Sequence, residues 1–474
     1  MFRKFADTKT PILAAMLLVV LPFGRPAEAF QFEMGPANLV DTFVTPTWTT
    51  ITFLAPFDTV PHVYIVPTDN GGDPATIRIR NVTTLGFEAA QVEPSANDGP
   101  HLRMDTAYLA IEPGLHSLPF GGQISSTQYS TTSFANRLIS TTWDNFTFPA
   151  PFSATPVILA GIQTVNNETG NPPATSSIPF MDVGIRNVTT TGLQSTLERA
   201  ESTAGTVNTP EVIAILAVDN GLITPFIAQF GNRIQFQTYL TPNNIRGWDN
   251  GCVNNSPPPA FPTIPLAVAS LNTRSGNNGG WVRRCTLTST SIGLVVDEDI
   301  DTDPERNHAP ETAGVVFGSL PFHVEFNVNL GVVKTVSVLN DPVNGGVEPR
   351  AIPSSTVQYT INVENTGSLS PDDSTVVILD TIPDDLDLCV AVTCQAGGPV
   401  IFDDSSSPIP TGVTLGTIEY SDDNGVSYSY TPTPDAGGFD PLVDAIRITM
   451  NGTLASISPV GAPQFDLRLA ARVD

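Results

Sequence analysis

A segment of domain length occurs three times in this chain of 474 residues. The first two copies align without gaps in three stretches: residues 48–57 with 143–152, residues 79–87 with 185–193, and residues 108–114 with 215–221. A degenerate third copy starts at Trp248 and ends near Phe322. A repeat of about one hundred residues is too long for a solenoid unit and has the size of a small domain. The sequence therefore predicts three tandem domains.

Each copy has the hydrophobic pattern of a small β-sandwich. Short apolar runs follow proline, as at residues 63–66 and 157–160, and such runs are typical of buried strands. Turn clusters rich in Gly, Pro and Asn occupy the same place in each copy, at residues 69–74, 166–173 and 275–280. We therefore expect an all-β chain of tandem antiparallel β-sandwiches, with Trp48, Trp143 and Trp248 in the cores.

The pattern changes at about residue 331. The run Tyr-Thr-Ile-Asn-Val-Glu-Asn-Thr-Gly occupies residues 359–367, and Asp-Thr-Ile-Pro occupies residues 380–383. This part of the chain resembles the conserved-repeat Ig-like module of bacterial surface proteins. The resemblance implies an Ig-like sandwich in an exported protein.

The first 29 residues have the pattern of a secretory signal peptide. Basic residues precede a short apolar run at 11–21, and Ala27-Glu28-Ala29 forms a small-residue cleavage site. An uncleaved anchor is the alternative, but the apolar run is too short to cross a bilayer. No later apolar stretch approaches the length that is needed to cross a bilayer. We expect cleavage after Ala29, a secreted or cell-surface location and no membrane span in the mature chain.

These observations predict five segments. They are a signal peptide at 1–29, three repeats at 30–122, 123–228 and 229–330, and the Ig-like module at 331–474.

The composition limits the partners of the protein. The net charge is −26, and nucleic-acid binding requires clustered Lys and Arg, so nucleic acid is excluded as a main partner. Lys334 is the only lysine after residue 29. An acidic surface favours neutral glycans over anionic ones.

The four cysteines are expected to be oxidised in an exported chain. Four cysteines allow three pairings, and sequence distance favours Cys252–Cys285 and Cys389–Cys394. A zinc site is the competing interpretation, although no C-x-x-C pair or histidine cluster accompanies them.

The repeats resemble the H-type lectin domain. The resemblance rests on Phe-Leu-Ala-Pro-Phe at 53–57, Asn-Val-Thr-Thr-Leu-Gly-Phe at 81–87 and Tyr-Leu-Ala-Ile at 108–111. It implies small antiparallel sandwiches that assemble as trimers and bind sugars similar to N-acetylgalactosamine. That family reads its sugar with an arginine in the central strand and a Trp-His pair before the last strand. The corresponding stretch 91–103 contains no Trp-His pair.

Two groups of residues are candidate sugar contacts. A sugar site needs an aromatic ring for the apolar sugar face and polar groups for the hydroxyls. The first repeat offers Asp98 and His101, and the third offers Trp281 with Arg283 and Arg284. The competing interpretation is that Trp281 starts a buried strand.

An acidic run in the third repeat is a candidate calcium site. Asp297, Asp299, Asp301, Asp303 and Glu305 alternate along the chain, and Ca²⁺ takes six to eight oxygen ligands. The run lacks the glycine of an EF-hand loop. A solvated loop before the last strand is the competing interpretation.

The asparagines in N-x-S/T sequences include Asn81, Asn145, Asn167, Asn187 and Asn451. The motif belongs to the repeat at Asn81 and Asn187, so we expect turn chemistry at most of these positions rather than glycosylation.

The functional prediction rests on the catalytic motifs that the sequence lacks and on the families that it resembles. Motifs of nucleophile elbows, zinc proteases, P-loops and dinucleotide folds are missing from it, so we expect no enzyme and no cofactor apart from calcium. A hydrolase with paired carboxylates is the alternative. The main hypothesis is an adhesin-like protein that binds glycans or other cell-surface components and forms homotrimers. The other is a spacer, appendage or surface-layer component without a sugar ligand.

Overall fold

The computed structural model describes Met16–Leu17 and residues 29–42, 46–94, 101–118, 121–135, 142–168, 179–201, 205–227, 233–257, 259–458 and 460–474. Asp98 and most of the predicted signal peptide lie outside the described residues. The chain divides into two compact units. One is Phe30–Glu325, and the other is Phe326–Asp474 with Met1–Ala29.

The described residues form strands and one 3₁₀ turn, at Trp248–Asn250. The strands are β1 (Met16–Leu17), β2 (Phe30–Leu39), β3 (Thr49–Thr52), β4 (His62–Ile65), β5 (Thr76–Arg80), β6 (Gly86–Val92), β7 (Met104–Ile111), β8 (Gly114–Ser117), β9 (Gln123–Thr131), β10 (Phe134–Ala135), β11 (Asp144–Thr147), β12 (Val157–Ile162), β13 (Asp182–Arg186), β14 (Gly192–Glu198), β15 (Glu211–Val218), β16 (Ile223–Ile227), β17 (Arg233–Leu240), β18 (Val253–Asn255), β19 (Leu266–Leu271), β20 (Trp281–Leu287), β21 (Ile292–Asp297), β22 (Ala313–Gly318), β23 (Phe322–Phe326), β24 (Leu330–Asn340), β25 (Thr356–Asn365), β26 (Val377–Thr381), β27 (Leu386–Cys389), β28 (Ile401–Asp403), β29 (Val413–Ser421), β30 (Phe439–Asp440), β31 (Ala445–Gly452) and β32 (Gln464–Val473). The predicted all-β class is confirmed. No helix of the described residues is long and apolar enough to cross a membrane.

Each repeat of the first unit is a sandwich of two sheets. In the first repeat, the sheet β3-β6-β5 packs on β2-β7-β4 through one apolar core. The second repeat pairs β11 and β13 with β14, opposite β12-β15-β9, and the third places β18-β21-β20 opposite β17-β22-β19. The strand pairs with a described register are antiparallel except for β10 with β14, and the isolated bridges Thr68–Arg284 and Gly247–Val296 are also parallel. The predicted antiparallel sandwiches are therefore confirmed.

The three repeats exchange strands in a closed cycle. After β7 the chain leaves the first sandwich, and β8, the last strand of the first repeat, pairs with β9 of the second. In the same way, β16 of the second repeat pairs with β17 of the third, and β23 of the third lies beside β2 of the first. Each predicted repeat therefore contributes its last strand to the next sandwich, and the third closes the ring onto the first.

The strands β4, β12 and β19 meet at the centre of this ring. Each is the edge of its sheet, and side-chain amides pair with two of these edges. The Gln163 amide bonds the N–H and C=O of Val63 at 3.0 and 2.8 Å. Asn272 does the same for Ile158 at 2.9 and 2.8 Å. These amides satisfy backbone groups that would otherwise be buried without a strand partner.

The repeated Asn-Val-Thr-Thr-x-Gly sequence forms a tight turn. Asn81 and Asn187 both have φ of 52°, a left-handed conformation that asparagine tolerates. A Cβ at Gly86 would lie 2.2 Å from the carbonyl oxygen of Ile51, so this position requires glycine. The prediction of turn chemistry is confirmed for these two asparagines.

The tryptophans of the repeats are half-buried, so the prediction that places them in the cores is wrong. The Arg80 guanidinium lies 3.8 Å from the ring centroid of Trp48, and that of Arg186 lies 4.1 Å from the centroid of Trp143. These cation–π contacts cover one face of each ring, which lets the rings remain at the surface.

In the third repeat, a disulfide replaces the tryptophan and the arginine that stacks on it. Strand register places Cys252, rather than Trp248, at the position of Trp48, and Cys285 takes the position of Arg80. The residues inserted before Cys252 form the 3₁₀ turn. The predicted Cys252–Cys285 bond is confirmed.

Gly293 lets this disulfide cross the central strand β21. A Cβ at Gly293 would lie 2.5 Å from the Cys252 Sγ. The equivalent positions of the other repeats hold Glu88 and Gln194, which accept the Nε–H of the stacked arginine at 2.7 and 2.9 Å. The third repeat has therefore replaced the tryptophan, the stacked arginine and the residue that accepts the arginine's N–H by two cysteines and a glycine.

The second unit is also a sandwich. One sheet has the order β24-β25-β32-β27-β30, with β28 also paired to β32, and the other has the order β1-β26-β31-β29. Thr356–Asn365 alternates between half-buried and buried residues, as its sequence predicts. The predicted bond between Cys389 and Cys394 is confirmed.

Candidate functional site

The structure brings His101, Trp281 and Arg283 together where the first and third repeats meet, but it buries all three. Trp281 starts β20 and donates its Nε1–H to the carbonyl oxygen of Ala75 at 2.9 Å. It packs in a small cluster with Val92 of the first repeat and Phe180 of the second. The interpretation of Trp281 as the start of a buried strand is therefore confirmed, and the residue contacts all three repeats.

Arg283 binds the backbone of the first repeat at residues 68 and 73. Its Nε donates to the carbonyl oxygen of Thr68 at 2.9 Å, and its Nη1 donates to that of Asp73 at 2.8 Å. Asp297 neutralises it through a contact of 2.5 Å. The guanidinium is fully buried, so it holds the two repeats together and presents no free donor to a sugar.

His101 completes this contact as a neutral ring. Burial and the charge of Arg283 lower its pKa. Its Nδ1 donates to the carbonyl oxygen of Leu102 at 2.9 Å, which leaves Nε2 as the acceptor 3.5 Å from the Arg283 Nη2. Arg284 is half-buried and donates to the carbonyl oxygen of Asp105 at 2.6 Å. None of these residues forms an open sugar-binding face.

An equivalent arginine lies between the first and second repeats. Arg78 occupies the position in β5 that Arg283 occupies in β20. Its Nε contacts the Glu168 carboxylate at 2.8 Å, and its Nη2 donates to the carbonyl oxygen of Thr164 at 3.1 Å. Burial raises the pKa of Glu168 to about 7, although Arg78 opposes the shift. Sequence reasoning missed this pair, and aligning Arg78 with Arg283 would have found it.

The contact between the second and third repeats uses an arginine from the opposite side. Gly184 stands at the position of Arg78, and a Cβ there would lie 3.3 Å from the Glu198 carboxylate. Arg274 of the third repeat fills the space and contacts Glu198 at 2.6 Å. All three contacts between repeats therefore contain a guanidinium paired with a buried carboxylate.

The acidic run does not gather around one point. Both oxygens of Asp297 bind arginines, Oδ2 that of Arg283 and Oδ1 that of Arg306 at 3.1 Å. Asp299 accepts backbone N–H groups of Glu201 and Asp301 at 2.8 and 3.0 Å.

The rest of the run bonds locally. Asp303 accepts the Glu305 N–H at 3.4 Å, and Glu305 accepts the Asn307 N–H at 2.9 Å. In the part of the chain that the structure describes, no three His, Cys, Asp or Glu side chains are grouped for a metal. The calcium site stays a prediction. The solvated-loop alternative is wrong for Asp297 and Asp299, which are buried.

A buried histidine joins two carboxylates near this run. His308 contacts Glu298 through Nδ1 and Glu311 through Nε2, the latter at 3.0 Å. Burial by itself lowers the pKa of His308, but the hydrogen bonds and charges of the two carboxylates raise it to about 9. The histidine is therefore a cation at neutral pH.

A cavity lies where the three repeats meet. Its walls come from the equivalent strands β4, β12 and β19 and from β5, β13 and β20. Its empty volume, including the part open to solvent, is about 550 Å³. Arg78 and Trp281 line it together with Asp182, which accepts the hydroxyl hydrogen of Thr76. Burial raises the pKa of Asp182.

No family model, curated protein or solved structure matches the chain. The resemblances to H-type lectins and to the conserved-repeat Ig-like module therefore stay predictions.

Proposed function

We propose that this protein is an extracellular scaffold, a spacer or surface component whose three repeats form one rigid head. The observation that supports the proposal is the role of the candidate sugar residues. His101, Trp281 and Arg283 are buried in contacts between repeats. A residue that already has its hydrogen bonds inside the protein has none to offer a ligand.

The energetics of the ring favour a rigid head. Ion pairs cross two of the contacts between repeats, Arg78–Glu168 and Arg274–Glu198, and at the third Arg283 donates to backbone carbonyls of the first repeat. Removal of one partner from a buried ion pair typically costs about 3–5 kcal/mol. The strand exchange adds backbone hydrogen bonds across every boundary between repeats. An isolated repeat would lack one strand and would expose a sheet edge.

The test uses the full mature chain on a glycan array and in titration calorimetry with free monosaccharides. We expect no binding at millimolar sugar, and light scattering should report monomers, because the ring closes within one chain. Binding of any of these sugars by the wild-type chain at millimolar concentration would contradict the scaffold function.

The central cavity supports a second candidate, the binding of a neutral monosaccharide by an adhesin-like protein. Its lining combines the ring of Trp281, whose Nε1–H already bonds Ala75, with the half-buried carboxylate of Asp182. This candidate predicts calorimetric binding that Asp182→Asn abolishes, whereas substitution of the exposed Asp373 by Asn has no effect. Equal binding by both variants would rule the cavity out.

A further inference from the structure

The second unit contains a lysine in close contact with an aspartate. Lys334 lies on β24, at the edge of one sheet, and Asp380 lies on β26 of the other sheet. The Lys334 Nζ is 2.7 Å from both carboxylate oxygens of Asp380. The side chains are 10% and 2% exposed, so this contact between the two sheets is shielded from water.

The choice of lysine at this position is unusual for the chain. Lys334 is the only lysine after residue 29. The other ion pairs of the described residues use arginine or histidine, as at Arg447–Glu419 and Arg472–Asp387. Arginine is the better residue for a buried ion pair, but its guanidinium stays protonated. Lysine can lose its proton when buried and then act as a nucleophile.

The pair lies in surroundings largely shielded from water. The Nζ lies 4.4 Å from the centroid of the Tyr359 ring. Burial raises the pKa of Asp380, although the lysine opposes the shift. Two charges held out of water carry a desolvation cost that one salt bridge does not always recover. An amide would remove both charges and keep the link between the sheets.

We propose that Lys334 and Asp380 condense into an isopeptide bond that joins the two sheets of this sandwich. The neutral amine attacks the Cγ of the protonated carboxyl, a bond forms between Nζ and Cγ, and one carboxyl oxygen leaves as water. The amine supplies one hydrogen of that water and the carboxyl O–H supplies the other, so no other reactant is required. The proposal rests on the second unit alone and is independent of the proposed function.

The test is the intact mass of the purified mature chain after reduction and alkylation of its cysteines. We expect a mass lower than that of the sequence by one water molecule. Lys334→Arg should restore the full mass, because arginine keeps the ion pair and cannot form the amide. Tandem mass spectrometry of a digest should find one peptide pair joined at residues 334 and 380.

A matched control places a lysine in a comparable but exposed pair. Arg447→Lys puts an amine beside Glu419, whose side chain is 35% exposed, and we expect the same loss of one water as in the wild type. A wild-type chain of full mass would overturn the proposal. Loss of water that persists in Lys334→Arg would also overturn it, because the water would then come from another site.

Discussion

The buried group of His308, Glu298 and Glu311 predicts a loss of stability in alkaline solution. The histidine side chain is 2% exposed, and both ring nitrogens face carboxylates. Its pKa rises from 6.5 to about 9 in the folded chain. A histidine with a raised folded pKa contributes its full stabilisation below pH 6.5 and loses it as the pH rises through about 9.

The size of the effect follows from the shift. Each unit of pKa corresponds to 1.36 kcal/mol, so the shift of His308 corresponds to about 3 kcal/mol of unfolding free energy. His308→Gln removes the titrating group. The difference in stability between wild type and variant should therefore fall by about this amount between pH 6.5 and pH 10.

Denaturant unfolding followed by tryptophan fluorescence measures this difference. Trp48, Trp143, Trp248 and Trp281 are the four tryptophans of the chain, and all lie in the first unit. The fluorescence signal therefore reports on that unit even if the second unit unfolds separately.

His62→Gln is the matched control. Burial lowers the pKa of His62 to about 4, so this histidine is neutral in the folded chain throughout the same pH range. Its variant should differ from the wild type by a constant amount above pH 7.5. A difference for His308→Gln that is equally constant would refute the assignment of His308 as a buried cation.

Three further predictions concern the first unit. Arg283→Met removes one of the two arginines that bind the buried carboxylate of Asp297. Thermal melts should therefore show that the free energy of unfolding falls by about 3–5 kcal/mol. Serine at both Cys252 and Cys285 opens a loop with a sequence separation of 33 residues. The same melts should show that this double substitution lowers the free energy of unfolding by about 4 kcal/mol. Gly293→Ala places a Cβ against the Cys252 sulfur, so thiol alkylation and mass spectrometry should detect two free cysteines where the wild type has none.

The features that sequence predicted correctly are local or repeated. The Asn-Val-Thr-Thr-x-Gly turn follows from the φ angle that Asn81 adopts and from the space that Gly86 leaves. The cysteine pairs follow from short separations along the chain. Alternating residues in Thr356–Asn365 follow from the two faces of a strand. Such features depend on neighbours that the sequence itself displays.

The environment of the candidate site could not be predicted in this way. Trp281 and Arg283 contact residues that lie 206 to 215 positions away in the chain. Their burial depends on the strand exchange that closes the ring, and no pattern within one repeat indicates that exchange. The alignment of Trp248 with Trp48 failed for a different reason, because an insertion moved the tryptophan out of register and left Cys252 in its place.

The contacts between repeats show what one chain can do that three identical copies cannot. In a symmetric trimer, each contact would use the same arginine. Here Arg78 and Arg283 occupy equivalent positions, but Gly184 replaces the third arginine and Arg274 reaches Glu198 from the facing repeat. Because the repeats are joined in one chain, each contact could change its donor while keeping a guanidinium beside a buried carboxylate. Every contact therefore keeps a guanidinium beside a buried carboxylate, although the arginine does not stand at the same position in all three repeats. This pattern favours assembly of the head, rather than ligand recognition, as the role of these arginines.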